Sequence, residues 1–306
     1  MKTESTRYLF RTIEVLTASC LAMSIAALAP VKLLTPVSAS NAMVVDYTMA
    51  ITNVRSQAAK YIQAMSVVSS LGTTPVRTAT DAAKTVTTIT SLDSILKAGF
   101  TKRLTQIALD SRTFKQAIEI ETARLGPRIF YDRMTSNPKI LLNLKGAPEI
   151  AQEITRQVQI DAANLKKTSA YLRQAAVMRG RAQNNWASPQ PIFLNAGYIG
   201  RDFSGSIEPV PVPTPQGGVG EGLILAAIVG AAVLLIGSYA AILSKGHEVP
   251  PATEDNPNPV SPVAKCIDEA IQRRDQCLDK SDVWGDLACA AIYLADRADC
   301  LFLPQA

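Results

Sequence analysis

The sequence predicts an all-α protein: an elongated antiparallel three-helix bundle, one transmembrane helix and a small C-terminal helical hairpin. Three observations predict it. Apolar residues recur every three or four positions along three long stretches between Val44 and Arg181, the period of a helix with one buried face. Leu223 to Leu243 is a run of twenty-one residues without a charge. At about 1.5 Å of rise per residue, such a helix crosses the roughly 30 Å hydrocarbon core of a bilayer. Four cysteines in the C-terminal tail fall in two pairs, each pair eleven residues apart.

The N-terminus, residues 1–42, has the order of an export signal. Lys2, Arg7 and Arg11 precede an apolar stretch from Val15 to Ala29, and small residues follow around Ser38 to Ala42. A cleaved signal peptide and an uncleaved anchor are both open readings. Cys20 lies within the apolar stretch as a passive residue, without the leucine three positions earlier that a lipid-modified cysteine would want.

Residues 43–200 are expected to form the basic helical bundle. The first helix spans Val44 to about Leu71, with Tyr47, Ile51, Val54, Ala58, Ile62 and Met65 on its stripe; Gly72 to Pro75 ends it. The second starts near Asp81, a good N-cap, and its stripe runs through Ile89, Leu96, Leu104 and Ile107 to Phe114, Ile118 and Leu125. Ser111 fills the step between Ile107 and Phe114, so one helix of about ten turns is expected, stopped by Gly126-Pro127. Residues 128–145 read as irregular. A third long helix follows from about Ala147 to Arg181, with Pro148 in its first turn and Ile154, Val158, Ala162, Leu165 and Leu172 on its stripe. A single apolar stripe cannot be buried by one helix alone, so the three are expected to face one another.

Residues 201–222 form a Pro/Gly-rich stalk, with four prolines between Pro209 and Pro215 favouring extended polyproline II. Residues 223–243 are the expected transmembrane helix. Along it Gly218, Gly222, Ala226 and Gly230 fall four apart, a flat stripe that lets another helix approach closely. That spacing favours homo-oligomeric packing; the bland alternative is that glycine and alanine are simply common in membrane helices. A Pro-rich linker, 244–262, leads to the tail.

The tail, 263–306, carries the most specific pattern. Eleven residues are close to three helical turns, so Cys266 and Cys277 share one face of one helix, and Cys289 and Cys300 one face of another. With a turn at Lys280 to Asp282, an antiparallel hairpin brings Cys266 opposite Cys300 and Cys277 opposite Cys289, giving two disulfides. This layout resembles the twin-cysteine helical hairpins of the mitochondrial intermembrane space, with ten intervening residues in place of that family's usual nine. The resemblance covers the tail alone and implies shared geometry without function. Zinc binding is disfavoured by the lack of a Cys-x-x-Cys pair or a nearby histidine; four reduced core thiols are the remaining alternative.

Charge is unevenly shared. Residues 43–200 hold 20 Lys+Arg against 10 Asp+Glu, whereas Val263 to the end has 5 against 8. A domain at +10 suits an anionic lipid surface or an acidic protein, the alternative being a plain solvated helical surface. Nucleic acid is an unlikely partner, since aromatic residues rarely sit among the dispersed cations. The single histidine, His247, lies beside the apolar run, and no phosphate loop, dinucleotide fingerprint or acid/base carboxylate pair is present. No catalytic, cofactor-binding or metal-binding residue is therefore expected, and no cofactor.

Function then divides into two expectations. The first is a non-enzymatic, membrane-anchored component of a secretion, conjugation or surface assembly in the cell envelope, with its N-terminal domain exported and a self-associating helix in the membrane. The alternative is a membrane-active protein whose glycine-striped helix forms a pore in a target bilayer. The side of the membrane on which the tail lies is open: one stop-transfer helix after a cleaved signal puts it in the cytoplasm, whereas the cysteines favour an oxidising compartment.

Overall fold

The computed structural model describes residues 39–182, 219–243 and 262–302. Residues 1–38 of the expected signal, residues 183–200 of the expected bundle, most of the stalk including Gly218, and the linker at 244–261 lie outside the described residues, whereas 39–42 open the first helix. The described residues are predominantly helical, without strands. They form α1 (Ala39–Leu71), α2 (Ala79–Asp110), α3 (Arg112–Leu125), α4 (Pro127–Ser136), a 3-10 turn (Pro138–Asn143), α5 (Ala147–Ala182), α6 (Glu221–Leu243), α7 (Pro262–Leu278) and α8 (Val283–Cys300).

Local chemistry explains the boundaries. Thr78 and Asp81 form a reciprocal capping box at the start of α2: Thr78 Oγ1 accepts from Asp81 N at 3.1 Å, and Asp81 Oδ2 accepts from Thr78 N at 2.9 Å. These backbone donors hold the Asp81 carboxyl below the usual range. The threonine-rich start of α2 is a weak helix former by propensity. It stays helical with each hydroxyl folded back onto a carbonyl one turn earlier, as for Thr85, Thr87, Thr88 and Thr90.

The continuous ten-turn helix expected from Asp81 to Leu125 is broken. Ser111 adopts an extended backbone, φ −72° and ψ 107°, and serves as C-cap of α2 and N-cap of α3; its hydroxyl accepts from Phe114 N at 3.3 Å. A small polar side chain in register with an apolar stripe can satisfy a new helix start as readily as continue the old one. The apolar residues on both sides remain buried, so the stripe survives the break. After Gly126, in the φ-positive region that lacks a side-chain penalty, Pro127 opens α4. The segment expected to be irregular is thus mostly ordered, with Phe130, Met134 and Leu141 buried.

The long helices α1, α2 and α5 do not close on one another alone. α1 packs along α2, whereas the most extensive partner of α5 is α8, and α6 packs against α1, α2, α3, α4, α5 and the 3-10 turn. The described residues belong to one compact unit. One continuous apolar core joins Leu96, Phe100, Leu104 and Leu165 of the bundle to Ile228 and Leu235 of α6, and to Trp284, Leu287 and Leu294 of α8.

Candidate functional site

The uncharged run forms α6. α6 is long and apolar enough to cross a membrane, and about half of that stretch is buried inside the protein. Leu223, Ala227, Ile228, Ala231, Ala232, Leu235 and Ile236 are buried, while Leu225, Val229 and Val233 lie half-buried along the opposite face. An all-round apolar helix would not remain in contact with water along its length. Here amphipathic helices cover one side of it.

The small residues of α6 meet parts of the same chain. Gly230 faces Thr105 of α2; a Cβ added there would sit 3.3 Å from Thr105 Oγ1. At Gly237 the aromatic ring of Tyr47, itself buried, lies so close that a Cβ would overlap it. Gly222 is half-buried and Ala226 exposed. The stripe expected to receive a second copy is therefore divided. Its Gly230 position and the later Gly237 seat α2 and α1, and Gly222 and Ala226 remain on the surface.

The C-terminal helices close the structure. Cys266 and Cys300 are placed at disulfide distance, with Cα atoms 5.6 Å apart, as are Cys277 and Cys289, 5.8 Å apart. Asp282 caps α8 by accepting from Gly285 N at 2.8 Å. Apolar and polar contacts fasten this hairpin to the bundle. Ser169 of α5 donates to the carbonyl of Ala291 at 2.6 Å, and Lys166 pairs with Asp299 at 2.8 Å. On the α2 side Lys97 pairs with Asp268, and Arg274, 4% exposed, pairs with Asp93. The Arg274 guanidinium also lies 4.8 Å over the Tyr293 ring. Burial pushes the Tyr293 hydroxyl up to about 12.

A second buried polar cluster ties α1, α2 and α5. Tyr61 donates to Asp161 Oδ2 at 2.8 Å, Gln157 donates to Asp161 Oδ1 at 3.0 Å, and Arg103 donates to Gln157 at 3.2 Å. Asp161 is 3% exposed, and burial raises its carboxyl above the ordinary value even though Tyr61, Gln157, Arg103 and Arg297 all favour the charged form. Arg297, 1% exposed, donates to the Tyr293 hydroxyl at 3.4 Å and exerts its charge on Asp161 and Tyr61. It links α8 electrostatically to this cluster.

Sequence reasoning passed over these buried ions, although their register signals them. Asp161 is three residues from Val158 and four from Leu165, and Arg274 is four residues beyond Ala270. A charge on the apolar stripe of a helix is a charge aimed at the core. Among the described residues no group of three or more His, Cys, Asp or Glu side chains is arranged to hold a metal ion.

Compared with known proteins, the chain matches no family model, no curated protein and no solved structure.

Proposed function

We propose that this chain is a non-enzymatic membrane-active protein: an exported helical body that keeps α6 under cover and releases it into a target bilayer. The observation that carries this reading is the position of a charge-free, membrane-length helix among α1 to α5 in a core shared with the α7–α8 hairpin. In water such a helix needs covering, whereas in lipid it does not. A helix with two acceptable environments, one supplied by its own chain and one by a bilayer, is the element such a switch requires.

The packing bears on topology too. If α6 crossed a membrane with the bundle on one face and the tail on the other, Ser169 would lose Ala291, and Arg274 would lose Asp93. Each loss strands a buried polar or charged group. A sheltered α6 avoids that cost and keeps the cysteine hairpin in the same compartment as the bundle. An exported body would then meet the oxidising conditions its cysteine pairs need. Once released, α6 would associate through Gly222, Ala226 and Gly230 into a homo-oligomer.

The second reading is a membrane-anchored envelope component of a secretion, conjugation or surface assembly. The length and apolarity of α6 favour it equally, and there α6 would stay in the bilayer.

The discriminating experiment mixes the purified chain with dye-loaded vesicles and follows release together with quenching of a Tyr239→Trp variant by brominated lipid, referenced to the parent protein. Release accompanied by additional quenching is the expected result. An inert protein whose α6 probe is never quenched would overturn the membrane-active reading.

A further inference from the structure

Resting on the membrane-active reading, a docking surface can be assigned to the lobe formed by α3, α4 and the 3-10 turn. Residues 111–146 hold seven Lys+Arg against three Asp+Glu, a net charge of +4. All seven cations are exposed. Arg124 is occupied by Glu121 at 2.6 Å and Lys139 by Glu221 at 3.7 Å. The side chains of Arg112, Lys115, Arg128, Arg133 and Lys145 enter no ion pair among the described residues.

Apolar side chains stand among these charges. Ile129, 53% exposed, is flanked by Arg128 on α4 and lines an open cleft of about 620 Å³ with Arg124, Leu125, Arg133 and Ile140. Ile120 of α3 is exposed as well. Neither isoleucine is needed by the core, which takes Phe114, Ile118, Phe130 and Met134 from the same two helices. Exposed aliphatic groups interspersed with unpaired cations match an interface that is negatively charged outside and apolar just beneath.

We infer that this lobe docks on an anionic bilayer surface, with Arg128, Arg133 and their neighbours at the headgroups and Ile129 at the acyl boundary. The position of the lobe gives the contact a consequence. α3, α4 and the 3-10 turn are all packed against α6, and Lys139 bridges to Glu221 at its first turn. Docking there brings lipid to the helix that is to be released. α5 is also net positive, but it abuts the acidic hairpin, where Lys166 is already paired with Asp299.

Co-sedimentation of the full chain with vesicles tests the assignment. Binding is compared between phosphatidylcholine vesicles and vesicles that also contain phosphatidylglycerol, for the wild type, Arg128→Glu/Arg133→Glu and the charge-matched α5 control Lys167→Glu/Arg179→Glu. The wild type should bind the anionic vesicles at least about thirtyfold better, and the α4 pair should lose most of that preference, about thirtyfold. The α5 control should lose several-fold less. Equal loss in both pairs, no loss in the α4 pair, or equal wild-type binding to neutral lipid would overturn the docking surface. Dye release failing while lobe-dependent binding persists would instead sink the membrane-active reading and leave the surface standing.

Discussion

Arg274 of α7 is buried against Asp93 of α2, a carboxylate 181 positions away in the sequence. The same guanidinium reaches Asp275 at 2.6 Å and stacks over Tyr293. This pairing makes the cysteine hairpin part of the body that shelters α6. Removing one member of such a pair leaves an uncompensated charge, whereas removing both need not.

Arg274→Met alone should therefore destabilise the fold by about 3 kcal/mol. The double variant Arg274→Met/Asp93→Leu should recover a substantial part of that loss. Urea unfolding of the wild type, both single variants and the double variant gives the coupling. Additive losses would show that the two residues act independently.

Gly237 and Ala226 occupy the two kinds of position on the small-residue face of α6. Gly237→Ile must displace the Tyr47 ring and should cost about 1–3 kcal/mol as overpacking. Ala226 is exposed, so Ala226→Ile should change monomer stability by less than about 0.5 kcal/mol. Thermal unfolding separates the two. In vesicles the order should reverse, with Ala226→Ile reducing oligomer formation as measured by cross-linking.

Each cysteine pair closes a loop in a unit of few residues. Cys277→Ala/Cys289→Ala should cost about 3 kcal/mol, and Cys266→Ala/Cys300→Ala somewhat more because its bridge joins residues 34 apart rather than 12. Denaturant midpoints with and without reductant check the magnitude. Thiol labelling of the protein as isolated checks the state, and four freely labelled thiols would exclude the bridges.

Asp161 should leave a pH signature. Its folded carboxyl titrates above the ordinary 3.8 because of burial, so the folded state binds that proton more tightly than the unfolded state. The contribution is fully present below about pH 3.8 and is lost as pH rises through the folded value. The stability of the wild type relative to Asp161→Asn should accordingly fall across that interval and then level off. Arg103, Arg297, Tyr61 and Gln157 face this carboxyl from α2, α8, α1 and α5. Urea unfolding from pH 3.5 to 7 measures the difference; a difference independent of pH would show that Asp161 does not titrate above its unfolded value.

The legible parts of this fold are those set by local periodicity. The stripes of α1 and α5, the uncharged span of α6 and the two eleven-residue cysteine intervals each describe a helix whose face is determined by residues three and four apart. The nested cysteine proximities follow from the same rule, because equal spacing on two antiparallel helices aligns both pairs. Ser111 was less legible, since a serine on an apolar stripe is compatible with both a continued helix and a new cap, and the balance depends on how Phe114 and Ile118 are packed.

What only the tertiary structure decided is which apolar face meets which. Hydrophobic burial has magnitude but no direction, so periodicity could not say that α5 prefers α8, or that α6 lies against α1 and α2 within the same chain. The buried ions supply part of that missing specificity: Arg274 needs Asp93, and the Asp161 cluster draws in Arg103 and Arg297. The sequence by itself determined the apolar stripes of the long helices, the charge-free span and the positions of the cysteines. Packing determined that a helix long enough to span a membrane is, in this structure, covered on one side by its own chain, because its neighbours offered complementary faces and partners for their buried charges.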